Sequence, residues 1–308
     1  MSFNNPFSPL DVTSPSATAM QELEPSPVEE TPSQDGRRKS YFPSFSSTTS
    51  TLGLNRRSFP HVLQALQKYS TVPPALYLAM HYTNTALIPL ATRSLESSDK
   101  YLLLTRPYYQ SFPLEQLLIF IPLGTHVLSG VALRLHRRSQ YMRRHGAESH
   151  ADRVQLHFWP RLSLTSALGY ALYPMLAAHI YVNRLLPLKH EGGSSSVGLR
   201  YFAHGISKHP VLLNAGYATM LGVASWHIVT GAAKFLRWSA DFVVEGGEDG
   251  KRARRRRKWV INGIAATVWA VWVAGGLGVV GRGGRGSGWE ARGWDDLYLK
   301  VPFIGNWL

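Results

Sequence analysis

The chain has no cysteine among its 308 residues. That excludes a disulfide framework, a thiolate nucleophile and any zinc or iron–sulfur site built on Cys. Charge is also scarce, with Asp, Glu, Lys and Arg making up only 17% of the chain against about 25% in an ordinary soluble domain. Acidic residues are the scarcer kind, 19 against 33 basic, so the formal net charge is +14. Few and mostly positive charges leave room for long uncharged runs. The near-neutral mean hydropathy hides those runs by averaging them with polar tails.

A secretory signal is not expected either, because no apolar region of about 7–15 residues follows Met1. Glu22, Glu24, Glu29, Glu30 and Asp35 precede the first Arg, which argues against an acid-poor, Arg-rich presequence. Residues 1–64 are dense in Ser, Thr and Pro with almost no apolar periodicity. Such a segment cannot bury enough surface to offset its ordering entropy, which predicts a disordered tail.

Beyond the tail the pattern changes. Five stretches carry no Asp, Glu, Lys or Arg: Tyr69–Thr92, Gln116–Leu133, Leu162–Asn183, His209–Ala233 and Trp259–Gly281. Each approaches or exceeds the roughly 20 helical residues that cross a bilayer core. In lipid only helices and closed barrels satisfy the backbone. The expected fold class is all-α: a polytopic five-span membrane bundle over residues 65–282, the fifth span at 259–281, then a Gly-rich exit and interfacial segment over 283–308.

Charge placement orients this bundle. Arg137, Arg138, Arg143, Arg144 and Arg153 lie between the second and third stretches, and Lys251, Arg252, Arg254–Arg257 and Lys258 between the fourth and fifth. The positive-inside bias puts both basic loops and the N-terminus in the cytosol and the C-terminus across the membrane. In a multi-span chain these charges read as orientation signals and contacts with anionic lipid, not as a nucleic-acid site.

The chain also repeats itself. His81-Tyr-Thr-Asn-Thr-Ala-Leu-Ile-Pro89 is echoed by His179-Ile-Tyr-Val-Asn-Arg-Leu-Leu-Pro187. His126-Val-Leu-Ser-Gly130-Val-Ala132 lines up without a gap with His227-Ile-Val-Thr-Gly231-Ala-Ala233. Spans one and two (about 69–138) thus duplicate as spans three and four (about 162–238), as a parallel repeat. An intramembrane His is costly unless it is paired or faces the bundle interior. Neutral imidazole is an axial ligand for haem iron, and Gly four residues on lies on the same helix face. His81, His126, His179 and His227 are therefore candidate haem b ligands. Counted from the span ends, His81 and His126 fall at similar depth and His179 and His227 do not, which favours the first two as partners. The competing reading is ordinary hydrogen bonding and small-residue helix packing.

The paired His-x3-Gly spans, basic loops and Ser/Pro-rich N-terminus resemble the fungal mitochondrial adapter (MCP-type) transmembrane family, over about residues 65–305. The resemblance implies a non-enzymatic outer-membrane protein of lipid homeostasis, multi-pass with a cytosolic N-terminus. It further implies that a Pro-x-Pro motif in the tail recruits a bridge-like lipid-transfer protein of the vacuolar-protein-sorting class. Here that motif is Pro25-Ser26-Pro27, an extended segment that loses little entropy on docking. Asn5-Pro-Phe7 is a second short-motif candidate. The spans are also similar, more distantly, to the membrane anchors of succinate dehydrogenase and fumarate reductase. There an Arg-His pair follows the haem-ligating His and its Gly, and here Gly130 and Gly231 are followed by Val-Ala and Ala-Ala instead.

No catalytic set and no metal motif emerges. Gly281–Gly288 follows a membrane helix instead of a strand, so it reads as flexible exit chain. Trp294–Leu308 is expected on the far membrane surface, and Glu115 has no counterpart in the repeat. Three readings follow: a membrane adapter, a bis-His b-type haem module for electron transfer or haem handling, and a bundle that moves lipid between leaflets.

Overall fold

The computed structural model describes residues 59–146, 149 and 162–302. All regular structure among them is helical. The helices are α1 (Phe59–Tyr69), α2 (Val72–Tyr82), α3 (Ile88–Thr92), α4 (Leu95–Thr105), α5 (Pro107–Gln110) and α6 (Ile121–Arg144). They continue as α7 (Leu164–Ile180), α8 (Leu186–Glu191), α9 (Leu199–Lys208), α10 (Pro210–Phe235), α11 (Gly247–Trp272) and α12 (Gly288–Leu299). Several join end to end, so the five apolar stretches become five continuous legs over 72–92, 116–144, 164–191, 210–235 and 247–282. Two of them, Gln116–Arg144 and Gly247–Arg282, are long and apolar enough to cross a membrane as they stand.

The joins are widened π turns, and three of them have one cause. Thr83–Leu87, Gln116–Phe120 and Tyr181–Leu185 each end two residues before a proline: Pro89, Pro122 and Pro187. A proline inside a helix has no N–H to give and its ring clashes with the carbonyl four residues back. Opening the turn relieves that clash, so Ile88, Ile121 and Leu186 donate five residues back, to Thr83, Gln116 and Tyr181. The fourth π turn, Val273–Val279, contains no proline but Gly275, Gly276 and Gly278. There the helix touches α2's continuation: a Cβ on Gly275 would stand 2.2 Å from the Ala86 carbonyl oxygen.

Three boundaries move. Residues 59–64, expected in the disordered tail, form most of α1; the rest of the tail lies outside the described residues. The basic run Lys251–Lys258 is not loop but the first turns of α11, and Arg137–Arg144 completes α6. Arg and Lys are good helix formers, so each apolar helix simply continues into its charged flank. The C-terminal segment is also not a surface strip. Trp294, Leu297 and Tyr298 of α12 are 2%, 1% and 5% exposed and form a core with Leu186, Val197, Tyr201 and Val301.

That core belongs to a helical lobe at one end of the legs, made by α4, α9 and α12. Trp294 Nε1 donates to the Ser196 carbonyl (2.9 Å) and Tyr298 to the Tyr201 carbonyl (3.2 Å). His204 accepts from the Gly286 amide (3.1 Å) and is 2.9 Å from Asp295 through its other nitrogen. At the opposite end, the start of α1 meets the foot of α6, where Phe59 packs edge-on against His136 at 5.9 Å. The N-terminal approach and the basic ends of α6 and α11 therefore share one end of the bundle, and the lobe occupies the other.

Candidate functional site: two histidine pairs built across the repeat

The structure brings the four histidines together in two pairs, and each pair joins equivalent residues of the two repeats. His81 and His179 have ring centres 6.1 Å apart with planes at 70°. His126 and His227 have ring centres 6.3 Å apart with planes at 72°. This corrects the partnering expected from depth counting, which set His81 against His126. A parallel repeat puts equivalent residues at equal depth on opposite sides of a pseudo-two-fold axis, so each His meets its own copy. The repeat shows in the scaffold too: a π turn begins two residues after His81 and again after His179.

The pairs lie at different depths. His227 Nδ1 bonds the Thr165 carbonyl at 2.9 Å, near the start of α7, while His179 lies near the end of the same helix. Fourteen residues of helix separate Thr165 from His179, about 21 Å of rise at 1.5 Å each.

In the lower pair the proton positions follow from chemistry. His126 Nδ1 lies 2.9 Å from the Gln67 carbonyl, and His227 Nδ1 stands in the same relation to Thr165. Gln67 and Thr165 are spaced in the sequence as His81 and His179 are, so this contact is itself repeated. A carbonyl only accepts, so each Nδ1 carries the hydrogen and each Nε2 presents a lone pair. Neither Nε2 has a hydrogen-bond partner among the described residues. Two lone pairs cannot bond each other, and a group that accepts both completes the arrangement.

Small residues give this pair its room. A Cβ on Gly169 would stand 2.8 Å from His227 Cε1, and one on Gly130 would stand 2.7 Å from the Gln67 side chain. Gly231, the repeat partner of Gly130, has no atom within 4 Å of where its Cβ would be. An open cleft of about 320 Å³ is lined by Val131 and Tyr170, which follow Gly130 and Gly169, and by Arg134 and Leu135.

The upper pair has aromatic walls. Tyr77 stacks on His81 at 5.5 Å, Trp272 stands edge-on to His81 at 6.2 Å, and Tyr217 edge-on to His179 at 5.9 Å. Trp272 Nε1 donates to Thr85 Oγ1 (3.0 Å), which fixes the fifth leg beside the first. Here Nδ1 faces side chains: Tyr77 OH at 3.5 Å from His81 and Asn183 Nδ2 at 3.4 Å from His179. A cleft of about 430 Å³, lined by Arg106, Gln110, Arg184 and Ser194 among others, meets the third leg five residues beyond His179.

Sequence reasoning passed over the main ionic tie of the bundle. Glu115, 7% exposed, receives both arms of Arg184: Nε to Oε1 at 2.6 Å and Nη2 to Oε2 at 2.7 Å. Ser194 extends the network, accepting from Arg184 Nη1 (3.1 Å) and donating to Gln110 Oε1 (3.0 Å). Its carbonyl takes Arg106 Nη1 at 2.6 Å. The available signal was Arg184 directly after an uncharged stretch, which needs an acid nearby. Pro25 and Pro27 of the Pro-x-Pro motif, and Asn5–Phe7, lie outside the described residues. Among the described residues no cluster of three or more metal-binding side chains occurs.

Comparison with known proteins agrees with the resemblance read from the sequence. Residues 174–285 match the family described as MDM10-complementing protein 1, transmembrane domain. The match starts at Pro174 within α7 and takes in His179, His227 and the fifth leg, a shorter reach than the 65–305 expected. No curated protein and no solved structure matches the chain, so the likeness to the succinate dehydrogenase anchors gains no support. The family's description points to a transmembrane domain and to a link with MDM10 function. With its helical legs and this match, the chain is an all-α membrane protein whose residues 174–285 are similar to the MDM10-complementing protein 1 transmembrane domain.

Proposed function

We propose that this protein is a multi-pass adapter of the mitochondrial outer membrane that acts in lipid homeostasis. The five legs hold it in the bilayer with the N-terminus cytosolic. The tail displays Pro25-Ser26-Pro27, which docks a bridge-like lipid-transfer protein of the vacuolar-protein-sorting class. The reading takes the bundle as an anchor without enzymatic activity and its contacts as membrane lipid and that protein, not nucleic acid.

The observation that carries it is the family match over residues 174–285. The placement of charge supports the orientation. The N-terminal approach through α1 meets the same end of the bundle as the basic feet of α6 and α11, and basic flanks favour the cytosolic face. Deleting residues 20–30 tests the recruitment. The expected result is loss of the lipid-transfer protein from the mitochondrial surface while the truncated protein still inserts in the outer membrane. Unchanged recruitment after the deletion, or after Pro25→Ala with Pro27→Ala, overturns the proposal.

A further inference from the structure

We propose that the bundle binds two haems, one near each end, each clamped between a histidine of the first repeat and its equivalent in the second. This is independent of the tail and of any partner it recruits. An imidazole nitrogen sits about 2.1 Å from a first-row metal ion that it ligates. With each ring centre roughly 1 Å behind its nitrogen, two axial imidazoles hold their ring centres about 6 Å apart. The two pairs stand at 6.1 and 6.3 Å. Their planes, at 70° and 72°, are crossed as two axial ligands of one iron can be.

Three further features favour haem over a simple ring contact. First, the lower pair has its Nδ1 hydrogens bound to carbonyls, so Nε2 is the basic atom on both rings. Binding the other ring nitrogen to a backbone carbonyl is the usual way a protein fixes a ligating His. Second, the His227 ring lies so close to the third leg that only glycine fits at Gly169, and the space over Gly231, four residues on from His227, is open, with no atom within 4 Å of where its Cβ would be. Third, one open cleft is lined by Val131 and Tyr170, the residues that follow Gly130 and Gly169, together with Arg134, and a second is lined by Arg106 and by Arg184, five residues beyond His179. A porphyrin carries two carboxylates, and arginine in both linings is the side chain suited to receive them.

The cross-repeat pairing also predicts which of the four histidines act together. His126 and His227 form one site and His81 and His179 the other, with neither site depending on the other's ligands.

The test uses full-length protein purified in detergent from haem-replete cells. Absorption spectra of the oxidised and dithionite-reduced forms, with a haem-to-protein ratio, are read for wild type and four single variants. The proposal expects a Soret band, sharp reduced α and β bands, and two haems per chain. His126→Ala and His227→Ala each halve the haem content and leave the same residual spectrum. His81→Ala and His179→Ala halve it too and leave the complementary spectrum. Elution volume and helical circular dichroism check that each variant is folded, and imidazole added to a folded variant restores a low-spin spectrum at the site that lost its ligand. A flat visible spectrum for the wild type overturns the proposal without any variant. So does one haem per chain, or a haem content that no histidine substitution changes, which would be adventitious binding only.

Discussion

Glu115 and Arg184 form a two-pronged ion pair that ties the start of the second leg to the third leg just beyond His179. Their side chains are 9% and 16% exposed, so both charges are largely withdrawn from water. Removing one partner of a buried pair typically costs about 3–5 kcal/mol, because the other charge is left stranded. Glu115→Ala should therefore lower the melting temperature of the detergent-solubilised protein by on the order of 10 °C. The double variant Glu115→Ala, Arg184→Leu should recover most of that loss. A double variant no more stable than the single one would show that the pair does not act as a unit.

The close approach of Gly275 to Ala86 makes a second prediction. In Gly275→Ala the new methyl would lie 2.2 Å from a backbone oxygen, which cannot swing aside. Overpacking of this kind costs typically about 1–3 kcal/mol. Gly263→Ala on the same leg meets nothing within 4 Å and serves as the control. It should be neutral or stabilising by up to about 1 kcal/mol, the helix-propensity gain of Ala over Gly. Thermal unfolding of the two variants side by side checks this.

Gly169 makes room for the ring of His227, so a double-mutant cycle should detect their contact. Gly169→Ala is expected to cost about 1–3 kcal/mol in the wild-type background. In the His227→Ala background the obstacle is gone and the same change should cost nothing. Equal costs in both backgrounds would mean that the ring yields freely.

Asp295 gives the lobe a pH dependence. Partial burial pulls its carboxyl upward, yet hydrogen bonds from Lys208 and His204 prevail and hold it below the usual carboxylate range. A carboxyl lowered in the folded state stabilises above its unfolded pKa of about 4, and that contribution is lost as pH falls through the folded value. Docking of α12 should thus loosen below about pH 4, seen as faster amide hydrogen exchange over residues 288–299. Asp295→Asn should loosen it at neutral pH and flatten the acid dependence.

The apolar legs were legible because a bilayer demands length and freedom from charge, and both can be counted. Gly130 and Gly231 were legible as repeat partners, but not in their surroundings. Gln67 comes close to one while the other stands open, a difference made by α1, whose first six residues read as tail. The pairing of His81 with His179 was hidden for a similar reason. Depth counted from where the charge stops ignores that α6, which carries His126, continues as helix to Arg144. The role of Glu115 depended on a partner remote in sequence, which no local pattern reveals.

The proline-opened turns have a consequence for how such a chain arose. Because His81 meets His179 and His126 meets His227, neither repeat alone carries a complete pair. A two-leg hairpin of the ancestral kind completes both pairs only by meeting a second copy of itself, so the single chain reads as a fused homodimer. Fusion then freed the two copies to diverge. The first carries His-Tyr-Thr-Asn beside its turn while the second carries Asn183 and Arg184 there, and only the second has the arginine that pairs with Glu115.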